Sequence, residues 1–175
     1  MKIIFTLESI GVVRRFWTEQ ELRSDRSLAW DVLGGDPEKL PDLVFELEAE
    51  GSVFRTAIEI EASRKSADRY FRIHMNYSKF RNINLILFGT ANLKIEEAIQ
   101  KDLGRGLWSD LKDKTGFYST ENLSQQRLLC KMRLGGKSPE IGQFFKNLAA
   151  LRSNRFPMER QKNGSSNLRV QIPTA

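Results

Sequence analysis

Residues 41–61 have the sequence PDLVFELEAEGSVFRTAIEIE, in which two β-like runs flank the pair Gly51-Ser52. Both runs, residues 43–48 and 53–61, contain the alternation of apolar and polar side chains that is typical of strands. Glycine adopts the positive φ of the first loop position of a type II′ turn at little cost. We therefore predict a β-hairpin whose two-residue loop is Gly51-Ser52.

A helix is predicted before this hairpin. Thr18 and Glu21 fit the capping box, in which the threonine side chain accepts from the Glu21 amide and the glutamate reaches back to the Thr18 amide. The residues expected on the buried side of this helix are Leu22, Leu28 and Ala29. The sequence GGDP at residues 34–37 ends the helix.

After Glu61 the apolar period lengthens to about 3.6 residues. Ser63 is the expected cap of a helix that runs to Tyr77, with Phe71 and Met75 on its packed side. The nearly continuous apolar run at residues 83–89 predicts a strand that is covered on both faces. A helix at residues 93–103 follows, and a strand at residues 2–7 is expected to precede these elements.

The C-terminal part contains another helix and most of the positive charge. Ser138 and Pro139 form a typical helix start. Apolar residues at helical spacing follow them, namely Ile141, Phe144, Phe145, Leu148 and Leu151. We expect this helix to pack on the core. Residues 127–175 contain ten basic and two acidic residues, a net charge of +8, whereas residues 1–126 contain 18 basic and 20 acidic residues.

The predicted elements define an α/β fold, with a small mixed β-sheet flanked by helices and a basic C-terminal helical extension. We expect the core in residues 1–126, the extension in residues 127–160 and a flexible tail in residues 161–175. The single cysteine, Cys130, excludes a disulfide framework and a cysteine-rich zinc site. The N-terminal residues make a poor secretion signal, and no apolar run approaches the roughly 20 residues of a spanning helix, so we expect a cytoplasmic protein with no membrane partner.

The hairpin register brings acidic residues together. With Gly51-Ser52 as the loop, Asp42 falls opposite Glu61. Glu59 is the diagonal neighbour of Asp42 on the same face, because alternate strand residues share a face. Carboxylates with Cβ separations of about 4.5–8 Å repel one another. They therefore lie in water at the sheet edge, or they surround a cation.

Two interpretations of these acids remain open. In the first, Glu59 and Glu61 form the solvated face of an edge strand and pair with nearby lysines or arginines. In the second, the carboxylates of Asp42, Glu59 and Glu61 bind Mg²⁺ or Mn²⁺, which prefer oxygen ligands and complete their coordination with water and phosphate oxygens. Such an ion polarises a phosphodiester and lowers the pKa of an attacking water.

Basic residues beside the acids favour a partner that contains phosphate. Lys65, Arg69 and Arg72 recur at helical spacing, and Arg64 adds to them. In a nuclease, Lys65 stabilises charge in the transition state or positions the water, while the arginines hold neighbouring phosphates. Within the basic C-terminal segment, the residues expected to contact DNA are Lys131, Arg133 and Lys137.

This pattern resembles the PD-(D/E)xK superfamily of restriction-endonuclease-like nucleases. The resemblance consists of Pro41-Asp42, then Glu59-Ile60-Glu61, then Lys65 on the following helix. The wider pattern, with WTEQELR at residues 17–23, KSADRY at residues 65–70 and then Tyr77, is similar to C-class plasmid mobilization relaxases and replication-relaxation proteins. The similarity covers residues 16–89, about two fifths of the chain.

The resemblance implies a restriction-endonuclease-like core and a metal-dependent DNA endonuclease, including one that nicks DNA during plasmid or mobile-element mobilization or replication. Asp42 and Glu59 correspond to metal ligands. Glu61 occupies the position of the usual lysine, and Lys65 corresponds to a migrated lysine. Glu21, or alternatively Glu19, corresponds to an acidic ligand that some members donate from the first helix, and the capping box explains Glu21 at least as well. The implied partners are DNA and other mobilization or replication proteins, and a homodimer is compatible with this function.

Two other functions fit the same sequence. A non-catalytic DNA-binding accessory protein of the same fold uses the basic C-terminal segment for phosphate contacts. A protein-interaction module is suggested by aromatic residues that look exposed in the sequence, namely Trp108, Phe117 and Tyr118. Three residues of the predicted second helix are expected to pack in the core rather than bind a ligand, namely Tyr70, His74 and Tyr77.

Overall fold

The computed structural model describes residues 2–49, 51–104 and 109–150. These residues contain an open sheet of six strands in the order β1-β2-β3-β4-β5-β6. The β3–β4 and β4–β5 pairs are parallel, and the other pairs are antiparallel. The strands are β1 (Arg15–Thr18), β2 (Leu43–Ala49), β3 (Ser52–Glu61), β4 (Leu85–Thr90), β5 (Thr115–Ser119) and β6 (Met132–Leu134).

Helices cover both faces of the sheet. One face packs against α2 to α6 and is called the front face, whereas the back face packs against α1, α7 and α8. The front helices are α2 (Glu19–Ser24), α3 (Arg26–Leu33), α4 (Ala67–Tyr77), α5 (Leu93–Leu103) and α6 (Ser109–Asp113). The back helices are α1 (Lys2–Glu8), α7 (Thr120–Gln126) and α8 (Ile141–Ala150), with a 3₁₀ turn at Arg127–Leu129.

Strand alternation assigns side chains to two apolar cores, because successive residues of a strand point to opposite faces. In β3, Ala57 joins the front core and Ile58 joins the back core. In β4, Ile86 lies in front and Leu87 behind. The mixed α/β architecture that the sequence predicts is therefore confirmed.

Several elements match the prediction closely. The capping box of Thr18 and Glu21 is present, and β4 is buried along its whole length. The helix predicted at residues 93–103 coincides with α5. The order of helix, hairpin, helix, strand and helix is that of the prediction, because each of these elements has a strong local period or cap.

The prediction of a strand at residues 2–7 is wrong, because this segment is the helix α1. Its buried residues are Ile3, Ile4 and Leu7, which lie on one side of a helix and on both sides of a strand. The helix predicted after Thr18 is divided into two. Asp25 separates them and caps α3 by accepting a hydrogen bond from the Leu28 amide at 3.0 Å.

The cap of α4 also differs from the prediction. Ser66, not Ser63, accepts a hydrogen bond from the Arg69 amide and precedes Ala67, the first residue of the helix. Lys65 therefore lies in the loop before α4, whereas Arg69 and Arg72 lie on the helix itself. Tyr70, His74 and Tyr77 are buried in the front core, as predicted.

The hairpin is present, but its register is shifted from the predicted one. Ala49 pairs with Ser52, so Ser52 belongs to β3 and not to the loop. Gly51 has a φ of 73°, and it therefore supplies the positive φ at the second loop position. Extending this register past Leu43 places Asp42 opposite Glu59 rather than Glu61.

The basic C-terminal segment contributes to the sheet. Met132–Leu134 forms β6, which pairs antiparallel with β5, so this part of the predicted extension is an edge of the core. Helix α8 packs on the back core through Ile141, Phe144 and Phe145, as expected. Leu151, the end of the predicted extension and the predicted tail lie outside the described residues.

The predicted exposure of two aromatic residues is wrong, because Phe117 packs in the front core and Tyr118 in the back core. Alternation along β5 places them on opposite faces, and both faces are covered. Trp108 lies outside the described residues. None of the described helices is long and apolar enough to span a membrane.

Candidate functional site

Two glutamates at the end of β3 carry their carboxylates into the front core. Glu59 is 2% exposed and Glu61 is 1% exposed. They alternate with Ile58 and Ile60, so both face the helices that cover the front of the sheet. A buried carboxylate is costly unless it is paired and hydrogen-bonded. The contacts of these two residues therefore define the candidate site.

Glu59 is held by two groups that come from different parts of the chain. The Tyr77 hydroxyl donates to its Oε1 at 2.7 Å, and the Lys39 ammonium donates to its Oε2. Burial raises the pKa of Glu59, and the positive charge of Lys39 opposes this shift. Burial and the neighbouring carboxylate also raise the pKa of Tyr77 well above its ordinary value, so the hydroxyl keeps its proton.

Glu61 pairs with the loop that leads into α4. The Lys65 ammonium donates to its Oε2, and the Lys65 amide donates to the Tyr70 hydroxyl at 3.1 Å. Burial lowers the pKa of Lys65, and the positive charge of Lys39 adds to that shift. The other oxygen of Glu61, Oε1, is buried and has no hydrogen-bond partner among the residues that the structure describes.

Asp42 lies at the edge of the sheet beside these glutamates. Its side chain is half-buried, and Oδ2 accepts a hydrogen bond from the Ile60 amide at 2.6 Å. This bond continues the β2–β3 ladder beyond its last backbone pair, Leu43 with Ile58. The negative charge of Asp42 helps to raise the pKa of Glu59, so the two carboxylates are within electrostatic reach of each other.

Asp42 and Glu59 lie within electrostatic reach of each other, but the three predicted acids do not form a ready-made metal site. Within residues 2–49, 51–104 and 109–150, no group of three or more histidine, cysteine, aspartate or glutamate side chains has the arrangement of a metal site. Lys39 and Lys65 neutralise the glutamates instead. The donor types are nevertheless carboxylate oxygens, which suit Mg²⁺ or Mn²⁺, and Oε1 of Glu61 is an open donor.

Glu21 on α2 has a structural partner in Thr18, which ends β1 and caps the helix. The Thr18 amide and the Thr18 hydroxyl both donate to Glu21 Oε2 at 2.8 Å. These hydrogen bonds lower the pKa of Glu21. The capping interpretation of this residue is therefore confirmed, while no observation supports its role as a metal ligand.

The predicted basic residues form two groups. Arg64 precedes α4, Arg69 and Arg72 lie on this helix, and all three are exposed. In the C-terminal segment, Lys131 and Lys137 are exposed.

Arg133 has a partner that the sequence did not predict. Its Nε donates to Glu96 Oε1 at 2.6 Å and its Nη2 donates to Oε2. Glu96 is 1% exposed, so the bidentate pair joins β6 to a buried carboxylate on α5. This contact gives Arg133 a structural role.

His74 and Asp102 form a second buried pair in the front core. The His74 Nδ1 lies 2.8 Å from Asp102 Oδ2, which links α4 to α5. Burial lowers the pKa of His74, and the aspartate opposes that shift. The prediction that His74 is a packed and hydrogen-bonded residue is confirmed.

The sequence pattern did not predict Lys39 as a partner of Glu59. The residue lies three positions before Asp42, so its proximity to the predicted site was a usable signal. The hydroxyl contact of Tyr77 was not predictable from helical spacing alone, since that spacing indicates burial but not a partner on β3.

Comparisons of the chain with protein-family models, with curated proteins and with solved structures find no match.

Proposed function

We propose that the protein is a metal-dependent DNA endonuclease with a restriction-endonuclease-like core. The observation that carries the proposal is the pair of buried carboxylates, Glu59 and Glu61, at the end of a central strand beside Asp42. The proposed reaction is hydrolysis of a phosphodiester, including nicking of one strand during plasmid mobilization or replication.

The burial of charge supports a functional role. Taking a carboxylate out of water costs several kcal/mol, and replacing a buried ion pair with apolar residues of similar volume is often neutral or stabilising. Here two ion pairs, Lys39–Glu59 and Lys65–Glu61, lie side by side at the end of β3, next to the apolar front core. Buried, mutually coupled charges of this kind are concentrated at functional sites.

The carboxylates of Asp42, Glu59 and Glu61 would hold Mg²⁺ or Mn²⁺. When bound, such an ion supplies polarisation of the scissile phosphate and a lower pKa for the attacking water. The hydroxyl of Tyr77 orients the side chain of Glu59, because it donates to Oε1 from a buried ring.

The cationic residues of the site have separate roles. Lys39 and Lys65 place two ammonium groups beside the carboxylates, where they stabilise negative charge that develops on a phosphate. Arg64, Arg69 and Arg72 hold flanking phosphates, because exposed arginines contact the backbone of DNA without reading its sequence.

Supercoiled plasmid incubated with the protein and Mg²⁺ or Mn²⁺ tests the proposal. We expect the wild-type chain to produce nicked or linear plasmid. The Glu59→Gln and Asp42→Asn variants should lose at least about a hundredfold in rate. Glu97→Gln, an exposed position on α5, is the matched control and should cleave at the wild-type rate. Equal cleavage by Glu59→Gln and wild type would exclude this centre.

A specific observation favours a second function, a non-catalytic DNA-binding protein. Each buried glutamate already contacts a lysine, so the pairs are neutral without a cation. This function predicts DNA affinity that falls steeply with salt, because phosphate contacts release counterions. It also predicts that the affinity is independent of Mg²⁺ and unchanged in Glu59→Gln, with no cleavage by either protein.

A further inference from the structure

A cavity of about 560 Å³ lies on the back face of the sheet, across from the two glutamates. It opens where the parallel strands β3 and β4 and their neighbour β5 end, since Ile60, Ala91 and Thr120 border it. Crevices at the carboxyl ends of such strands are common ligand sites. Asp42 also borders this cavity, so one residue connects it with the candidate catalytic centre.

The cavity walls are mostly apolar. They include Leu43, Ile58 and Leu123, together with Ile60, which is 42% exposed. Tyr118 on β5 forms part of the wall and lies against Gly89. A Cβ on that glycine would be 2.6 Å from the Tyr118 hydroxyl oxygen. A larger residue at position 89 would therefore displace the tyrosine.

Tyr118 supplies an unsatisfied polar group at this cavity. The residue is 1% exposed, and its hydroxyl has no hydrogen-bond partner among the described residues. An unsatisfied buried hydroxyl is costly, and such groups in native proteins call for an explanation. Burial raises the pKa of Tyr118, and the charge of Asp42 contributes, so the hydroxyl remains a donor.

We infer that this cavity binds one unpaired nucleotide adjacent to the phosphate that is cleaved, an inference that rests on the proposed function. The apolar walls match the faces of a base, and the hydroxyls of Tyr118 and Thr120 match its polar edge or the sugar. Lys2, which hydrogen-bonds Ser124 beside the cavity, supplies a cation for a phosphate.

The size of the cavity agrees with this ligand. Pockets for small ligands have volumes of about 300–1,000 Å³, which includes the observed volume. A base inside a duplex cannot enter such a cavity, so the substrate is single-stranded or has its nucleotide turned out of the helix. The inferred subsite therefore predicts a preference for unpaired DNA.

The direct test is a titration of the metal-free full chain, followed by NMR of its isoleucine and leucine methyl groups. The probes are dAMP, dGMP, dCMP and dTMP, with inorganic phosphate as the reference. At least one nucleotide should shift the methyl signals of Ile58, Ile60 and Leu123, and phosphate should leave them unchanged. If no nucleotide shifts these signals, or if phosphate shifts them equally, the inference is wrong.

Two variants check the position of the ligand. Tyr118→Phe removes the hydroxyl and should weaken nucleotide binding by about threefold to tenfold. Ser124→Trp places a bulky ring at an exposed position beside the opening and should weaken binding at least as much. Ser78→Trp, which follows α4 on the front side, is the control and should bind normally. Wild-type affinity in both cavity variants would overturn the assignment.

The outcomes separate the subsite from the proposed function. Nucleotide binding that shifts the cavity methyl groups, combined with an uncut plasmid, would reject the nuclease and retain the subsite. Plasmid cleavage that depends on Glu59, combined with no nucleotide binding, would retain the nuclease and reject the subsite.

Discussion

Tyr77 and Lys39 hold Glu59 from opposite sides of its carboxylate, one with a neutral hydroxyl and one with a charge. Neither partner is close to Glu59 in the sequence, so only tertiary packing brings the three side chains into contact. Each buried oxygen of Glu59 therefore has its own hydrogen-bond donor.

The contact between Tyr77 and Glu59 gives a direct prediction. Tyr77→Phe keeps the buried ring but leaves Glu59 Oε1 without its donor. The free energy of unfolding should fall by about 1.5–3 kcal/mol, because the lost hydrogen bond is made to a charged group. Urea denaturation measures the change. Tyr70→Phe, which removes a neutral hydrogen bond to the Lys65 amide, should cost less. A smaller loss for Tyr77→Phe than for Tyr70→Phe would contradict this.

At the scale of elements, the β2–β3 hairpin depends on the conformation of its loop. Gly51 has a φ of 73°, and a Cβ added there meets nothing within 4 Å. Gly51→Ala should therefore destabilise the protein through its backbone alone, by about 1–2 kcal/mol. Thermal or urea unfolding checks this value. Ser52→Ala, at the neighbouring exposed position, should change stability little, and equal stabilities of the two variants would refute the predicted role of Gly51.

The α4–α5 contact predicts a pH dependence. Burial lowers the pKa of His74 below the ordinary value of 6.5 in the folded state. The unfolded chain then binds a proton at a higher pH than the folded chain does. The free energy of unfolding should therefore decrease as the pH falls from about 6.5 to the folded pKa.

His74 is the sole histidine of the chain, so NMR titration measures its pKa directly. The value should lie below 6.5. The stability of His74→Gln should lack the wild-type decrease in this pH range. A pKa above 6.5, or the same pH dependence in the variant, would be inconsistent with a neutral buried imidazole.

The contact between β6 and α5 predicts that Arg133 stabilises the folded protein. Arg133→Ala leaves the buried Glu96 carboxylate without its bidentate partner and should cost about 2–3 kcal/mol. Arg133→Lys should recover only part of this loss, because lysine lacks the planar fork. Lys137→Ala, at an exposed position near β6, provides the comparison. Similar unfolding midpoints for the two alanine variants would show that the pair contributes little.

At the scale of the whole molecule, local sequence patterns were sufficient to predict much of the fold. The continuous apolar run gave the buried strand β4, and the 3.6-residue period gave α5. The strand β6 was not predictable in the same way. It has three residues, and its pairing with β5 comes from contacts that are distant in the sequence.

The candidate site could be predicted only in part, again because local patterns do not specify contacts between residues that are distant in the sequence. Alternation along β3 placed Glu59 and Glu61 on one face, which the structure confirms. The loop register could not be fixed, because a glycine serves either loop position when that position needs a positive φ. In the observed register the cross-strand neighbour of Asp42 is Glu59, whereas the predicted register made it Glu61.

Crystals of the full chain grown with Mn²⁺ and measured by anomalous scattering at the manganese absorption edge test the proposed centre most directly. We predict an ion bound by Asp42, Glu59 and Glu61, with the ammonium groups of Lys39 and Lys65 moved away from the glutamates. Crystals saturated with Mn²⁺ that show no ion there, and that keep both lysines on their carboxylates, would contradict a metal-dependent nuclease at this site.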